Sequence, residues 1–160
     1  MPTTTDVANQ HGVRTAIGTS GSRRAESLAA RIEQGAAGLA AFAEGLSDAE
    51  WRTPVSATDH RSVGVVVHHV ATMYPVEIDV ARAIASGRSV SDVTWEVVAQ
   101  LNAKHAHDSA HVSKATALEL LRQNSREAAA AVRDFTDEEL DKAAPFSLSF
   151  DAPHDRSVRH

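Results

Sequence analysis

The chain has 160 residues, of which 42% are hydrophobic, and a formal net charge of −5 at pH 7. This length suits one domain with a continuous core, and the acidic balance argues against nucleic acid as a partner. No stretch approaches the roughly 20 apolar residues of a membrane span, and the N-terminus lacks the apolar core of a secretory signal, so we expect a cytoplasmic protein that binds no membrane.

The N-terminal part of the chain divides into a tail and a first helix. Residues 1–22 mix Thr, Ser and Gly with isolated charges and show no apolar period, which predicts a disordered tail before a single domain at 23–160. From Arg23 to Leu46, apolar residues recur at steps of three and four, which predicts the first helix of a bundle. Ser47 to Glu50 has the spacing of a capping box, which predicts a short helical turn ending near Trp51.

The second bundle helix is predicted from Val63 to Ser86, with Ser62 as its N-cap. Its apolar face repeats at helical intervals over this whole length. Pro75 lies inside the helix, where the missing N–H and the ring should loosen one turn, so we expect a bend near Ala71 to Pro75.

The rest of the chain predicts further helices and no strand. A shorter helix is expected from Ser91 to about Ala103, interrupted by the histidine-rich stretch Lys104 to Val112. A long helix should follow from Ser113 to Phe135, and Thr136 begins a second capping box. Residues 143–150 alternate apolar and polar and are predicted to be an extended loop. The expected fold class is therefore all-α.

Nine histidines are the most distinctive chemical feature of the chain. Because the chain has no cysteine, any metal must be held by His, Asp or Glu. His68 and His69 project about 100° apart on their helix: His68 falls on the polar side and is predicted to be exposed. His69 flanks the apolar stripe, where it either satisfies its nitrogens locally or offers one to an ion. His105 is a further candidate for turning inward, and a solvated position is favoured for four others: His11, His60, His107 and His111.

Several short segments, taken in order, resemble the DinB-like superfamily, which includes mycothiol-dependent maleylpyruvate isomerase and related thiol transferases. The resemblance covers about Ala25 to Pro153 and implies an up-down four-helix bundle. The matching segments are Leu46-Ser-Asp-Ala-Glu-Trp51, Arg61-Ser-Val-Gly-Val-Val-Val-His-His-Val-Ala71, Asn102-Ala-Lys-His105, Leu118-Glu-Leu-Leu-Arg-Gln-Asn124 and Phe135-Thr-Asp-Glu-Glu-Leu140.

The resemblance also implies a divalent metal, nickel or zinc-like, held by three histidines. One ligand comes from the second helix, and that position falls on His69. The other two form an H-x-x-x-H pair on a final helix. Here the run Asp155 to His160 places His160 on the first member of the pair, and the second would lie beyond the chain. The resemblance therefore predicts His69 and His160 as ligands, with His105 as an outside candidate, and a last bundle helix that is largely missing.

Two functions from different classes are compatible with these expectations. The first is a divalent-metal-binding protein that acts on a small-molecule substrate, either by a thiol-dependent transfer or isomerisation with mycothiol or a related low-molecular-weight thiol, or as a metal-dependent hydrolase. In this hypothesis the truncation could leave the protein inactive. The second is a non-catalytic helical interaction module or homodimerising scaffold. A missing bundle helix would expose apolar surface on the others, so a homodimer is expected in either case.

Overall fold

The computed structural model describes residues 22–91 and 93–148, and the all-α prediction is confirmed over this part of the chain. Besides the helices, the described residues contain two isolated β-bridges, one between Pro54 and Ser62 and one between Val90 and Phe146. Six helices follow one another: α1 (Arg23–Gly45), α2 (Asp48–Arg52), α3 (Val63–Ala85), α4 (Trp95–Asp108), α5 (Lys114–Arg133) and α6 (Asp137–Leu140).

Side-chain caps fix where these helices begin. Ser47 and Thr136 each form a complete capping box, as the sequence predicts, and Ser62 and Ser113 cap α3 and α5. In each case a hydroxyl accepts from a backbone N–H three residues on, which satisfies a donor that the first helical turn leaves open. Ser22, placed in the tail by the sequence, caps α1 in the same way, and residues 1–21 lie outside the described residues.

The prediction for α4 was wrong at both ends. The helix begins at Trp95, with Thr94 as its N-cap, and not at Ser91, and it continues through the histidine-rich stretch to Asp108. The expected interruption does not occur because Lys104 to Asp108 contains neither Gly nor Pro, and Lys104 forms an i,i+4 ion pair with Asp108. Two histidines of the stretch predicted to interrupt the helix, His105 and His107, are therefore helical.

Helix α5 is the centre of the bundle. It packs along α1 on one side and along α3 on the other, whereas α1 and α3 scarcely touch each other. Leu121 of α5 is fully buried, and the buried residues of α1 are all alanines, which allow the two helices to approach closely. Arg133, near the end of α5, donates to Glu26 and Glu33 of α1 at 2.8 to 3.1 Å.

Helix α3 runs without interruption through Pro75. A proline has no N–H, so the carbonyl of Ala71 one turn earlier loses its helical donor. The side chain of Asn124 on α5 supplies a donor in its place, with Nδ2 at 2.8 Å from the Ala71 oxygen. This contact satisfies the carbonyl and joins the middle of α3 to α5.

The short helix α2 is fastened to the bundle by Trp51. The Trp51 ring is buried, and its Nε1 donates to the Val112 carbonyl just before α5 at 3.0 Å. The ring lies directly on Gly64 of α3, where an added Cβ would come within 2.4 Å of Cε2 of Trp51. Only glycine allows this approach, so the pair fixes the beginning of α3 against α2.

No helix in the described ranges is long and apolar enough to cross a membrane. The segment predicted to begin the last bundle helix, which includes His160, lies in residues 149–160, outside the described part of the chain.

Candidate metal centre

Three histidines meet where α4 lies against the first half of α3. His68 and His69 come from α3, and His105 comes from α4. The imidazole of His105 lies 5.1 Å from that of His68, stacked at 17°, and 5.1 Å from that of His69, edge-on at 64°. One ring from α4 thus contacts two adjacent rings of α3.

His68 corrects the prediction made from its helical position. It was expected on the exposed polar side, but it is half-buried, and its Nδ1 lies 3.0 Å from Nε2 of His105. The reason is that α4 covers this side of α3, and periodicity within α3 carries no information about that neighbour. His105 lies inward, half-buried, on the face of α4 that meets α3.

The hydrogen bond between His68 and His105 restricts their tautomers. If both rings are neutral, one of the two nitrogens carries the proton and the other accepts. If Nδ1 of His68 donates, its Nε2 keeps a lone pair; if Nε2 of His105 donates, its Nδ1 keeps one. In either arrangement, the ring that donates keeps a free lone pair on its other nitrogen. The Ser109 hydroxyl, 3.4 Å from Nε2 of His105, is a weaker partner of the same nitrogen.

The surroundings of all three imidazoles favour the neutral form over the protonated form. Burial lowers the pKa of His68, and the neighbouring His69 lowers it further. Burial also lowers the pKa of His69, with a smaller effect from the positive charge of Arg61. For His105, burial again dominates in lowering the pKa, and the two other histidines add to it. Since a neutral imidazole is the form that binds metal, the electrostatics of the cluster favour ligand chemistry over a cationic surface.

The donor chemistry therefore suits a divalent metal, but the described residues do not complete a site. Within 22–91 and 93–148, no group of three His, Asp or Glu side chains is arranged to hold an ion. The two nitrogens that are nearest each other, on His68 and His105, are paired by a hydrogen bond. His160, the second predicted ligand, lies outside the described residues. A metal at His69 would need at least one ligand from that part of the chain or from solvent.

The remaining described histidines make no ring contact with this cluster among the described residues. His60 and His111 are exposed, as the sequence predicts. His107 is also exposed, and its Nδ1 lies 3.3 Å from Oδ1 of Asp108. His107 is on the same helix as His105 but in a solvated position, which makes it a useful control.

Comparison with known proteins identifies the family to which the chain belongs. The model of the DinB superfamily matches residues 31–159, and the chain belongs to that superfamily. No curated protein matches the chain, and no solved structure does. The superfamily accounts for the all-α fold and agrees with the resemblance found in the sequence.

Two features near the cluster escaped the sequence analysis. One is His68, whose position depends on the packing of α4. The other is Arg61, which is close enough to act on His69 and His105 and is oriented by Asp59, with Nε at 2.9 Å from Oδ1 and Nη2 at 2.6 Å from Oδ2. The available signal is the short Asp59-His60-Arg61 run directly before the N-cap Ser62, in which a carboxylate lies two residues from an arginine.

Proposed function

We propose that this DinB-superfamily protein binds a divalent metal, nickel or zinc-like, with His69 as a ligand and His160 as its second protein ligand. The observation that carries the proposal is the cluster of three half-buried imidazoles, His68, His69 and His105, held towards the neutral form. His105 contacts the His69 ring edge-on and is the further candidate ligand.

Burial alone would not require three imidazoles at one corner of the bundle. A half-buried imidazole loses hydration, and an apolar residue would pack there without that loss. On the outward side, α4 carries the exposed apolar residues Val97 and Leu101, so apolar side chains are compatible with this helix. A role of their ring nitrogens as metal ligands explains why imidazoles, and not apolar side chains, lie at the α3–α4 contact.

The chemistry supplied by such a metal would be that of a Lewis acid, which activates a thiol or a water. We accordingly propose a thiol-dependent transfer or isomerisation, with mycothiol or a related low-molecular-weight thiol as cosubstrate and a small molecule as substrate. The part played by this chain's own residues is to present neutral imidazole nitrogens at a corner that is open to solvent.

Metal content tests the proposal directly. The purified full chain is loaded with nickel or zinc, dialysed and measured by elemental analysis beside His69→Ala and the control His107→Ala. We expect near-stoichiometric metal in the parent and in His107→Ala, and its loss in His69→Ala. A ligand at about 100 times its dissociation constant stabilises the fold by about 2.7 kcal/mol, so the melting temperature should rise with metal in the same two proteins only.

Two results would contradict the proposal. One is the absence of metal from the parent protein after loading; the other is equal metal in the parent and in His69→Ala. Circular dichroism of each variant shows whether it is folded before its metal content is interpreted. The same measurement on His160→Ala and His105→Ala tells which of them completes the ligand set.

A second candidate function is supported by exposed apolar side chains. Leu28 and Phe42 lie two heptads apart on α1 and so share a face, and Phe42 is 55% exposed. Val70 of α3 and Leu101 of α4 are exposed as well. Apolar surface of this kind suits a helical interaction module or a homodimer. Sedimentation of the parent and of Phe42→Glu tests it: a dimer that the substitution dissociates supports this function, and a monomer at all concentrations opposes the homodimer.

A further inference from the structure

A cleft near the histidine cluster is lined by two arginine side chains, Arg52 and Arg61. It has a volume of about 450 Å³, within the usual range for small-molecule sites, and lies between the loop before α3 and the end of α4. Among the described residues no Asp or Glu side chain lines it. Its walls are formed by seven residues: Arg52, His60, Arg61, Ser62, Val65, Ala106 and Ala110.

The two arginines of the cleft contribute different properties. Arg61 is held by Asp59 through Nε and Nη2, so its guanidinium has a fixed orientation while Nη1 makes no hydrogen bond within the described residues. Arg52 has no carboxylate partner there, and its one hydrogen bond is a 3.4 Å contact from Nη1 to the Asp48 carbonyl. Arg61 thus offers an oriented donor, and Arg52 offers a positive charge that no carboxylate of the described residues neutralises.

Further donors lie on the same side of the molecule. The Ser62 hydroxyl accepts from the Val65 N–H at 3.3 Å, which leaves its own proton available to a ligand. A second cavity of about 430 Å³ shares Arg52 and Ser62 with the first and adds His111 and Lys114, together with one carboxylate, Asp48. The Lys114 ammonium donates to the Leu46 carbonyl and forms no ion pair in the described part of the chain.

The cleft lies near the histidine cluster, because Arg61 in its wall acts electrostatically on His69 and His105. Val65 precedes His69 by one helical turn, and Ala106 follows His105 directly. A ligand whose anionic end lay between Arg52 and Arg61 could therefore extend its other end towards His69.

We propose that this cleft binds the oxyanion group, carboxylate or phosphate, of a small-molecule ligand through Arg52, Arg61 and Ser62. As the substrate subsite of a metal centre at His69, the cleft rests on the proposed function; binding of the anion does not, because none of these residues is a metal ligand.

The experiment is an amide-resolved NMR titration of the metal-free full chain. Sodium malonate is the carboxylate probe and inorganic phosphate the second probe, each added at constant ionic strength so that general screening does not change. We expect saturable shifts in residues 52, 60–62 and 106–110 with at least one of the two anions. The probe that saturates identifies the carboxylate or the phosphate as the source.

Arg52→Gln is the test variant, because Arg52 is exposed and its loss leaves the Asp59–Arg61 pair in place. Binding should weaken about tenfold, which corresponds to about 1.4 kcal/mol for one charge-assisted contact. The matched control is Arg88→Gln, an exposed arginine beyond the far end of α3, which should bind like the parent.

Three outcomes would overturn the proposal: shifts that grow linearly without saturation for both anions, saturable shifts that map elsewhere, or equal affinities in Arg52→Gln and Arg88→Gln. Because the protein is metal-free throughout, a negative result here leaves the His69 metal measurement unaffected. Conversely, a protein that binds malonate but takes up no metal would reject the metal centre and keep the anion cleft.

Discussion

Two regions of the molecule are stabilised in different ways: the bundle centre around α5 and the histidine corner, where His68, His69 and His105 join α3 to α4. Helix α5 buries seven residues between α1 and α3, whereas α4 buries none and meets α3 through few contacts. The first region is held by removal of apolar surface from water, and the second by hydrogen bonds and ring contacts among His68, His69 and His105. The comparison shows that the chemistry of the corner could change with little effect on the stability of the centre.

The largest difference between the two regions should appear on truncating a leucine in each. Leu121→Ala removes a fully buried side chain of α5 and should destabilise the fold by about 2–5 kcal/mol, because the cavity cannot close completely. Leu101→Ala removes a side chain of α4 that is 60% exposed and should change stability by no more than about 0.5 kcal/mol. Urea unfolding followed by circular dichroism measures both. Equal losses would mean that α4 is part of the core.

The contact between Trp51 and Gly64 gives the next largest effect. In Gly64→Ala the new methyl would meet the Trp51 ring at 2.4 Å, so the ring must move, at a cost of about 1–3 kcal/mol. Gly38→Ala on α1 is the matched control, since apart from its own stretch of helix no atom of the described residues lies within 4 Å of the added Cβ, and it should stabilise by about 0.5–1 kcal/mol.

The displacement of the ring is measurable by itself. In a Trp95→Phe background the fluorescence reports Trp51 alone, and Gly64→Ala should shift its emission to the red as the ring becomes solvated. If Gly64→Ala were as stable as Gly38→Ala and left the emission unchanged, the close approach at the start of α3 would be wrong.

The sequence predicted the bundle centre well because its information is local and periodic. The sequence alone predicts the apolar repeats of α1, α3 and α5 and the helix starts at Ser47, Ser62, Ser113 and Thr136, and the structure confirms them. Caps depend on the geometry of a few consecutive residues, and periodicity records which face is buried. Both are properties of one helix at a time, so no knowledge of neighbouring helices is required.

The histidine corner was predicted less well because it depends on packing between helices. His68 is half-buried only because α4 lies over it, and α4 itself was cut short in the prediction at Ala103. Nothing in the sequence marks Asn124 as the hydrogen-bond partner of the Ala71 carbonyl, because 53 residues separate the two along the chain. The role of His69 as a ligand stays a prediction, and that of His160 lies outside the described residues.

The smallest expected effect is the pH dependence that the three histidines of the corner give to the stability of the fold. Folding lowers the pKa of His68, His69 and His105 below that of an unfolded histidine, about 6.5. On acidification the unfolded chain binds protons first, so stability is present above about pH 6.5 and is lost as the pH falls through the lower pKa values of the folded state. Asp59, whose pKa the hydrogen bond from Arg61 lowers to about 2, stays charged throughout this range.

Urea midpoints between about pH 5 and about pH 7.5 should therefore fall towards acid in the parent protein. His68→Gln removes one of the titrating groups and keeps an amide able to hydrogen-bond His105, so its midpoint should depend less steeply on pH. His107→Gln, in which an exposed histidine of α4 is replaced, should retain the parent slope. If His68→Gln and His107→Gln had the same slope, the imidazoles of the corner would not be coupled to folding, and the contact between α3 and α4 would be looser than the 3.0 Å hydrogen bond indicates.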